Sequence, residues 1–269
     1  AARRVALGEL RDSGRWRVAL GALGPSEATR LPVEPRPPAS KAAHPDLLCS
    51  ADAPGPAEMR RLRALVATEG LAPAARQALL DFAVLTPSGG NAQPWKLEFS
   101  GDQLVIADDP SRPVPQMDPH RLSVRMAAGG VAESVAVAAR ALGLRADVTC
   151  AAGGAAIARV VLRPEPATAS TTDVDAALAA CETLRQRCTN RRVEARVALT
   201  ATERGALQRA VASVGAQLVL LEDPGAQTAI GRIAGAADRL RFLYKPWREE
   251  LAGELRWTRE DALATGTGL

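Results

Sequence analysis

Thr86-Pro87-Ser88-Gly89-Gly90-Asn91-Ala92-Gln93-Pro94-Trp95 is the stretch on which the reading of this chain turns. Ser88, Asn91 and Gln93 place small hydrogen-bonding side chains on every second or third residue of a short loop. Gly89 and Gly90 let the backbone approach a ligand and allow a turn that a residue with a Cβ makes only at a cost. Pro94 fixes its own φ and is expected to push Gln93 into an extended conformation. The loop then runs straight into a strand. The expected result is a rigid polar cradle with Trp95 at its exit, suited to a flat heterocycle rich in donors and acceptors. Most Ser/Gly/Asn clusters are plain surface turns, but a plain turn does not require this order of residues.

Working outward, Ala57 to Thr68 reads as a helix stopped by Gly70, and Pro73 suits the first turn of a second helix that runs to about Val84. Downstream, Trp95–Phe99 and Leu104–Ala107 read as strands joined by a turn at Ser100-Gly101-Asp102-Gln103. Asp108 to His120 is a proline-punctuated loop; His120 belongs to that loop or to the helix start rather than to catalysis. Arg121 to Leu142 is the longest expected helix, with Gly129-Gly130 inside it and Gly143 as its stop. Its Ala and Gly content on several faces implies burial at close range against other helices. Val148 and Ile157–Leu162 fall in two further strands. Asp173 to about Leu184 is helical. Thr200-Ala201-Thr202-Glu203 is a capping box opening a helix to Val214. Gln217–Leu221 reads as a strand, Pro224–Leu243 as a helix, and Pro246 starts another. Trp247 and Trp257 read as helix-packing residues. The fold class expected is α+β: a mixed, mostly antiparallel sheet flanked by helices.

Residues 1–56 are set apart. Arg3 to Leu23 has an amphipathic pattern that Gly8, Gly14 and Gly21 weaken. Gly24 to Pro56 is proline-rich and reads as a semi-extended linker or wrapping arm.

The chain has 269 residues, 47% of them hydrophobic, 3% aromatic and 24% charged, with a net charge of +4 and a pI near 9.2. The basicity is almost all arginine and is interleaved with Asp and Glu. Nucleic-acid binding calls for a basic face with stacking aromatics, and no such cluster is visible, so no nucleic-acid partner is expected. Cys49, Cys150, Cys181 and Cys188 form no CxxC pair, and His44 and His120 are the only histidines. A metal site is not expected. The thiols suggest a reducing, cytoplasmic setting. No apolar run reaches the length of a membrane span, so no membrane partner is expected. The start Ala1-Ala2-Arg3-Arg4 lacks the apolar segment of a signal peptide.

A second constellation is Arg187-Cys188-Thr189-Asn190-Arg191-Arg192, between the helix ending near Leu184 and the capping box. Its guanidiniums offer planar forks that match phosphate oxygens, and Thr189 and Asn190 add a hydroxyl and an amide. The plain reading is a solvated basic loop. Cys188, beside these arginines, could carry a depressed pKa, but no His lies near it and a structural role is expected.

The Pro87–Trp95 run resembles the Pro-Ser-x-x-Asn-x-Gln-Pro-Trp loop of the nitroreductase family of flavin enzymes. The Arg187–Arg192 run resembles that family's Arg-x-Ser/Thr-x-Arg motif. Arg125–Ser134 through Ala141-Leu142-Gly143-Leu144 resembles its central helix, and Asp238–Arg241 to Arg256-Trp257 its later helical segment. The order departs from the family: here the Arg motif follows the loop, about a hundred residues on. Internal duplication accounts for this, with lobes of about 57–164 and 173–269 forming one domain over 57–269, incomplete at its C-terminal end.

The resemblance implies FMN as cofactor, NAD(P)H as electron donor and a small-molecule acceptor such as a nitro compound or quinone. Ser88, Gly89, Asn91 and Gln93 would meet the ring and ribityl chain; Arg187, Thr189, Asn190 and Arg191 would meet the phosphate. No catalytic side chain is implied, because flavin carries the redox chemistry. Family members are dimers, so a homodimer or an intramolecular pseudo-dimer is implied. Two alternatives stand beside this: a domain that binds or sequesters flavin, or has lost it and serves as a partner or scaffold, and a basic module for an anionic partner.

Overall fold

The computed structural model describes residues 53–112, 116, 118, 120–151, 155–165, 170–187, 198–258, 260, 261 and 264. The helix expected over Arg3–Leu23 and all but residues 53–56 of the proline-rich arm lie outside them. The described elements are, in chain order, α1 (Pro56–Glu69), α2 (Pro73–Ala83), β1 (Trp95–Ser100), β2 (Gln103–Asp108), α3 (Leu122–Ala141), β3 (Leu144–Cys150), β4 (Ala156–Pro164), α4 (Thr171–Gln186), α5 (Ala201–Ala212), α6 (Pro224–Leu243) and α7 (Lys245–Glu254). The α+β class is therefore observed. The chain divides into one unit of Asp46–Val193 with Tyr244–Leu269, and another of Ala1–Pro45 with Glu194–Leu243.

In the first unit the strands form one sheet in the order β1-β2-β4-β3. Every pair is antiparallel, where the sequence suggested a mixed, mostly antiparallel sheet. The alternation of side chains gives the sheet two unlike faces. Leu104, Ile106, Ala158, Val160, Leu162 and Leu144 are buried on one face. The other carries Lys96, Glu98, Arg145, Arg159 and Arg163, with Asp147 bridging Arg145 and Arg163 at 3.0 Å each.

Helix α3 covers the apolar face and also packs against α2 and α4. Its small side chains set the distance: Ala127, Ala128, Val131, Val135 and Ala138 are all buried. By length and hydropathy α3 would also suit a membrane span, but half of that window is buried here, as befits a core helix. Phe82, Leu79 and Met59 from α2 and α1 are fully buried beside it, each contributing about 1.5–3 kcal/mol. Both ends of α3 are held by side chains. Asp118 accepts from the amides of Leu122 at 2.7 Å and Ser123 at 3.0 Å. Arg63 of α1 donates to the carbonyls of Arg140 at 3.0 Å and Ala141 at 3.3 Å. Gly143 then turns the chain with φ +77°.

Helix α4 starts two residues before the sequence suggested, because Ser170 and Asp173 form a capping box. At the start of α7, the capping residue Tyr244 and Trp247 meet edge-to-face with centroids 5.3 Å apart. Trp257, expected to pack, is 76% exposed and lies outside any helix.

In the second unit the Thr200–Glu203 capping box opens α5 as expected, and Asp223 accepts from the Ala226 amide at 2.6 Å where α6 begins. Gln217–Leu221 is not a strand. A strand requires a hydrogen-bonding neighbour, and no described segment pairs with this one; Val219 is 69% exposed.

Candidate functional site

The loop after α2 is built by its own backbone. Asn91 donates to the Ser88 carbonyl at 3.0 Å and Ala92 to that of Gly89 at 3.1 Å, making a single 3-10 turn over Gly89–Asn91. The Ser88 Oγ accepts from the Gln93 amide at 3.0 Å, which draws the loop closed across the turn. The Trp95 amide donates to the Gln93 carbonyl at 2.9 Å.

These bonds set the backbone of Gln93 differently from the expectation. Its φ is +48°, left-handed rather than extended, beside Gly90 at +59° and Asn91 at +50°. Proline's preference for an extended predecessor is overridden by the tight bonds on either side of Gln93. Asn tolerates this region; Gln does so rarely. Strain of about 1–3 kcal/mol at such a residue persists only where the surroundings impose it, and it gathers at functional sites. Trp95 is 7% exposed, so it anchors the strand in the core instead of presenting a ring at the loop's exit.

Two further contacts clamp the loop. At its entry, the buried Thr86 hydroxyl lies 2.9 Å from the Ser134 hydroxyl of α3. At its exit, the Asp109 amide donates to the Pro94 carbonyl at 3.2 Å. Asp109 is nearly buried and accepts from the Ser111 hydroxyl at 2.6 Å and the Ser111 amide at 3.0 Å. The Ser111 hydroxyl, with Lys96 at 3.5 Å, holds the Asp109 carboxyl below the usual carboxylate range. Sequence reasoning passed over Asp109; the Asp-Pro-Ser order at 109–111 was the available signal, since Asx turns use it. Thr86 and Ser134 left no such signal.

Arg187 ends α4 and its Nη2 donates to the Leu85 carbonyl at 3.0 Å. Leu85 is the residue before Thr86, so the chain brings Arg187 to the entry of the Ser88–Gln93 loop. Thr189, Asn190 and Arg191, with Cys188 and Arg192, lie outside the described residues. Gly89 has open space where a side chain would stand, whereas a Cβ on Gly90 would fall 2.8 Å from the Glu254 Cδ at the end of α7. Glu254 was also missed in the sequence, because nothing local ties α7 to the loop.

Among the described residues, no group of three His, Cys, Asp or Glu is placed to hold a metal ion. Cys181 is buried against α3, with its Sγ 3.9 Å from the Val137 carbonyl. Burial pushes its thiol up to about 11.

The chain matches no protein-family model, and no curated protein is significantly similar to it.

Proposed function

We propose that this chain is an FMN-dependent oxidoreductase of the nitroreductase type, passing electrons from NAD(P)H to a nitro, quinone or related acceptor. The observation that carries the reading is the bond from Arg187 to the Leu85 carbonyl. It brings the first residue of the arginine motif to the chain just before the Pro87–Trp95 loop, although 102 positions separate Arg187 from Leu85. The donor chemistry fits FMN. The loop offers the Ser88 hydroxyl and the Asn91 and Gln93 amides on a backbone kept open by Gly89. Arg187 supplies a guanidinium for a phosphate. Ser88, Gly89, Asn91 and Gln93 would hold the ring and ribityl chain, and Arg187 with Thr189, Asn190 and Arg191 the phosphate. Flavin, when bound, supplies the two-electron transfer between nicotinamide and acceptor; the chain's residues bind and orient.

The second reading, a domain that holds flavin without turnover or has lost it, is favoured by Glu254. Its carboxylate lies against Gly90, where it narrows access to the loop.

The test is the visible absorption spectrum of the purified chain, before and after FMN addition and desalting, followed by NADH and NADPH oxidation with a quinone. Retained flavin bands with turnover support the enzyme. Retained bands without turnover support the second reading. A colourless protein after FMN addition refutes flavin binding.

A further inference from the structure

On the opposite flank of α3 from the Ser88–Gln93 loop, a groove of about 770 Å³ opens between the first half of that helix and the ends of β2, β3 and β4. Gly130 and Ser134 look toward the loop, whereas Arg121, Arg125, Gly129 and Glu133 line the groove. At about 100° per residue these positions fall on separate faces of α3.

Three irregularities meet at this groove. The pairing of β2 with β4 shifts register between Ile106 and Ala107, as bulges near sites do, and Asp108 follows directly. Arg121 adopts φ +55°, and its guanidinium pairs with that Asp108. On edge strand β3, the row that faces α3 begins buried at Leu144 but ends exposed at Val148 and Cys150. The sheet's apolar face is thus left uncovered where α3 begins.

The polar lining is asymmetric. Arg121 is already paired with Asp108. Arg125 and Glu133 are exposed, and neither side chain has a hydrogen bond or ion pair with another described residue. They stand eight residues apart, about 12 Å along the helix, so the cation at one end is not neutralised by the anion at the other. An apolar floor with one guanidinium that has no partner among the described residues, beside a second arginine, fits a small molecule with an apolar body and a single anionic head. The volume is within the range of about 300–1,000 Å³ typical of small-molecule pockets.

We infer that this groove binds an amphiphilic carboxylate, with its head at Arg125 and its hydrocarbon over Val124, Val148 and Ala158. The inference does not rest on the flavin reading, because the two sites use different faces of α3.

The test is calorimetric titration of the purified chain with decanoate, with decanol as the uncharged control. Binding of decanoate and not decanol is expected, weakened about tenfold in Arg125→Gln and abolished in Ala132→Leu, which fills the floor. Circular dichroism checks that each variant is folded. Decanoate should also slow alkylation of Cys150, read on its peptide by mass spectrometry. Flavin retention in Arg125→Gln should match that of the parent chain, which separates failure here from failure of the flavin site. No decanoate heat, equal binding by Arg125→Gln, or a dimer that Arg125→Gln dissociates without any decanoate binding would each overturn the inference.

Discussion

Thr86 Oγ1 and Ser134 Oγ lie 2.9 Å apart in the interior, and this pair fastens the polar loop to the long helix α3. One turn earlier on the helix, Gly130 makes room for it: a Cβ there would fall 2.7 Å from Thr86 Cγ2. Ser134→Ala should strand the buried Thr86 hydroxyl at a cost of about 1–3 kcal/mol. Gly130→Ala should cost about 1–3 kcal/mol through overpacking, less the gain in helix propensity. Denaturant unfolding checks both, and a Thr86→Val/Ser134→Ala double variant should cost less than the sum of the singles.

The loop's side chains can be separated from its backbone. Asn91 has φ +50°, so Asn91→Gly keeps the turn while removing the amide. Thermal unfolding should change by no more than the equivalent of about 0.5 kcal/mol. Flavin retention after desalting should fall about tenfold, the effect of one lost hydrogen bond to a polar ligand. Arg187→Ala should lower retention by at least as much, since it removes a charged donor. Unchanged retention in both variants removes this site from consideration.

Thiol chemistry should discriminate sharply within the first unit. Cys181 is buried with its pKa raised to about 11, so little thiolate forms at pH 8, whereas Cys150 is exposed. Iodoacetamide at pH 8 should modify Cys150 and spare Cys181 until the protein unfolds. Peptide mass spectrometry with and without denaturant reads this directly.

Acid should loosen the start of α3. The Ser123 hydroxyl and the amides of Leu122 and Ser123 hold Asp118 below its usual 3.8. A carboxylate with a lowered folded pKa stabilises above its unfolded pKa and loses that contribution as pH falls through the folded one. The contribution of Asp118 should therefore be complete above about pH 5 and disappear toward pH 2. Asp118→Ala should be less stable than the parent at pH 7 and should converge with it under acid, followed by unfolding across that range.

Local chemistry made much of the first unit legible. Pro73 at a helix start, Gly101 in the hairpin and Gly143 after α3 punctuate the chain where the structure turns, whereas Pro56, read as the end of the arm, opens α1. The runs Leu104–Ala107 and Ile157–Leu162 read as strands, and in the structure Leu104, Ile106, Ala158, Val160 and Leu162 are the buried face of the sheet. Gln217–Leu221 misled because a short apolar run specifies a strand only when a neighbour supplies hydrogen bonds. The Ser88–Gln93 residues could be singled out, but the posture of Gln93 could not. Its φ follows from the Ser88 Oγ bond on one side and the Trp95 amide on the other.

Propensity, capping and side-chain period act over a few residues, so the helices and hairpins of the first unit and the polar character of its loop follow from local sequence. Tertiary structure alone decided which distant groups meet. Arg187 reaches Leu85 only because α4 packs against α3. Glu254 lies over Gly90 only because α7 returns to this unit. The groove beside Arg125 opens only because β3 extends past the cover of the helix. Each depends on packing between segments far apart in the chain, where the short-range preferences read from sequence have no reach.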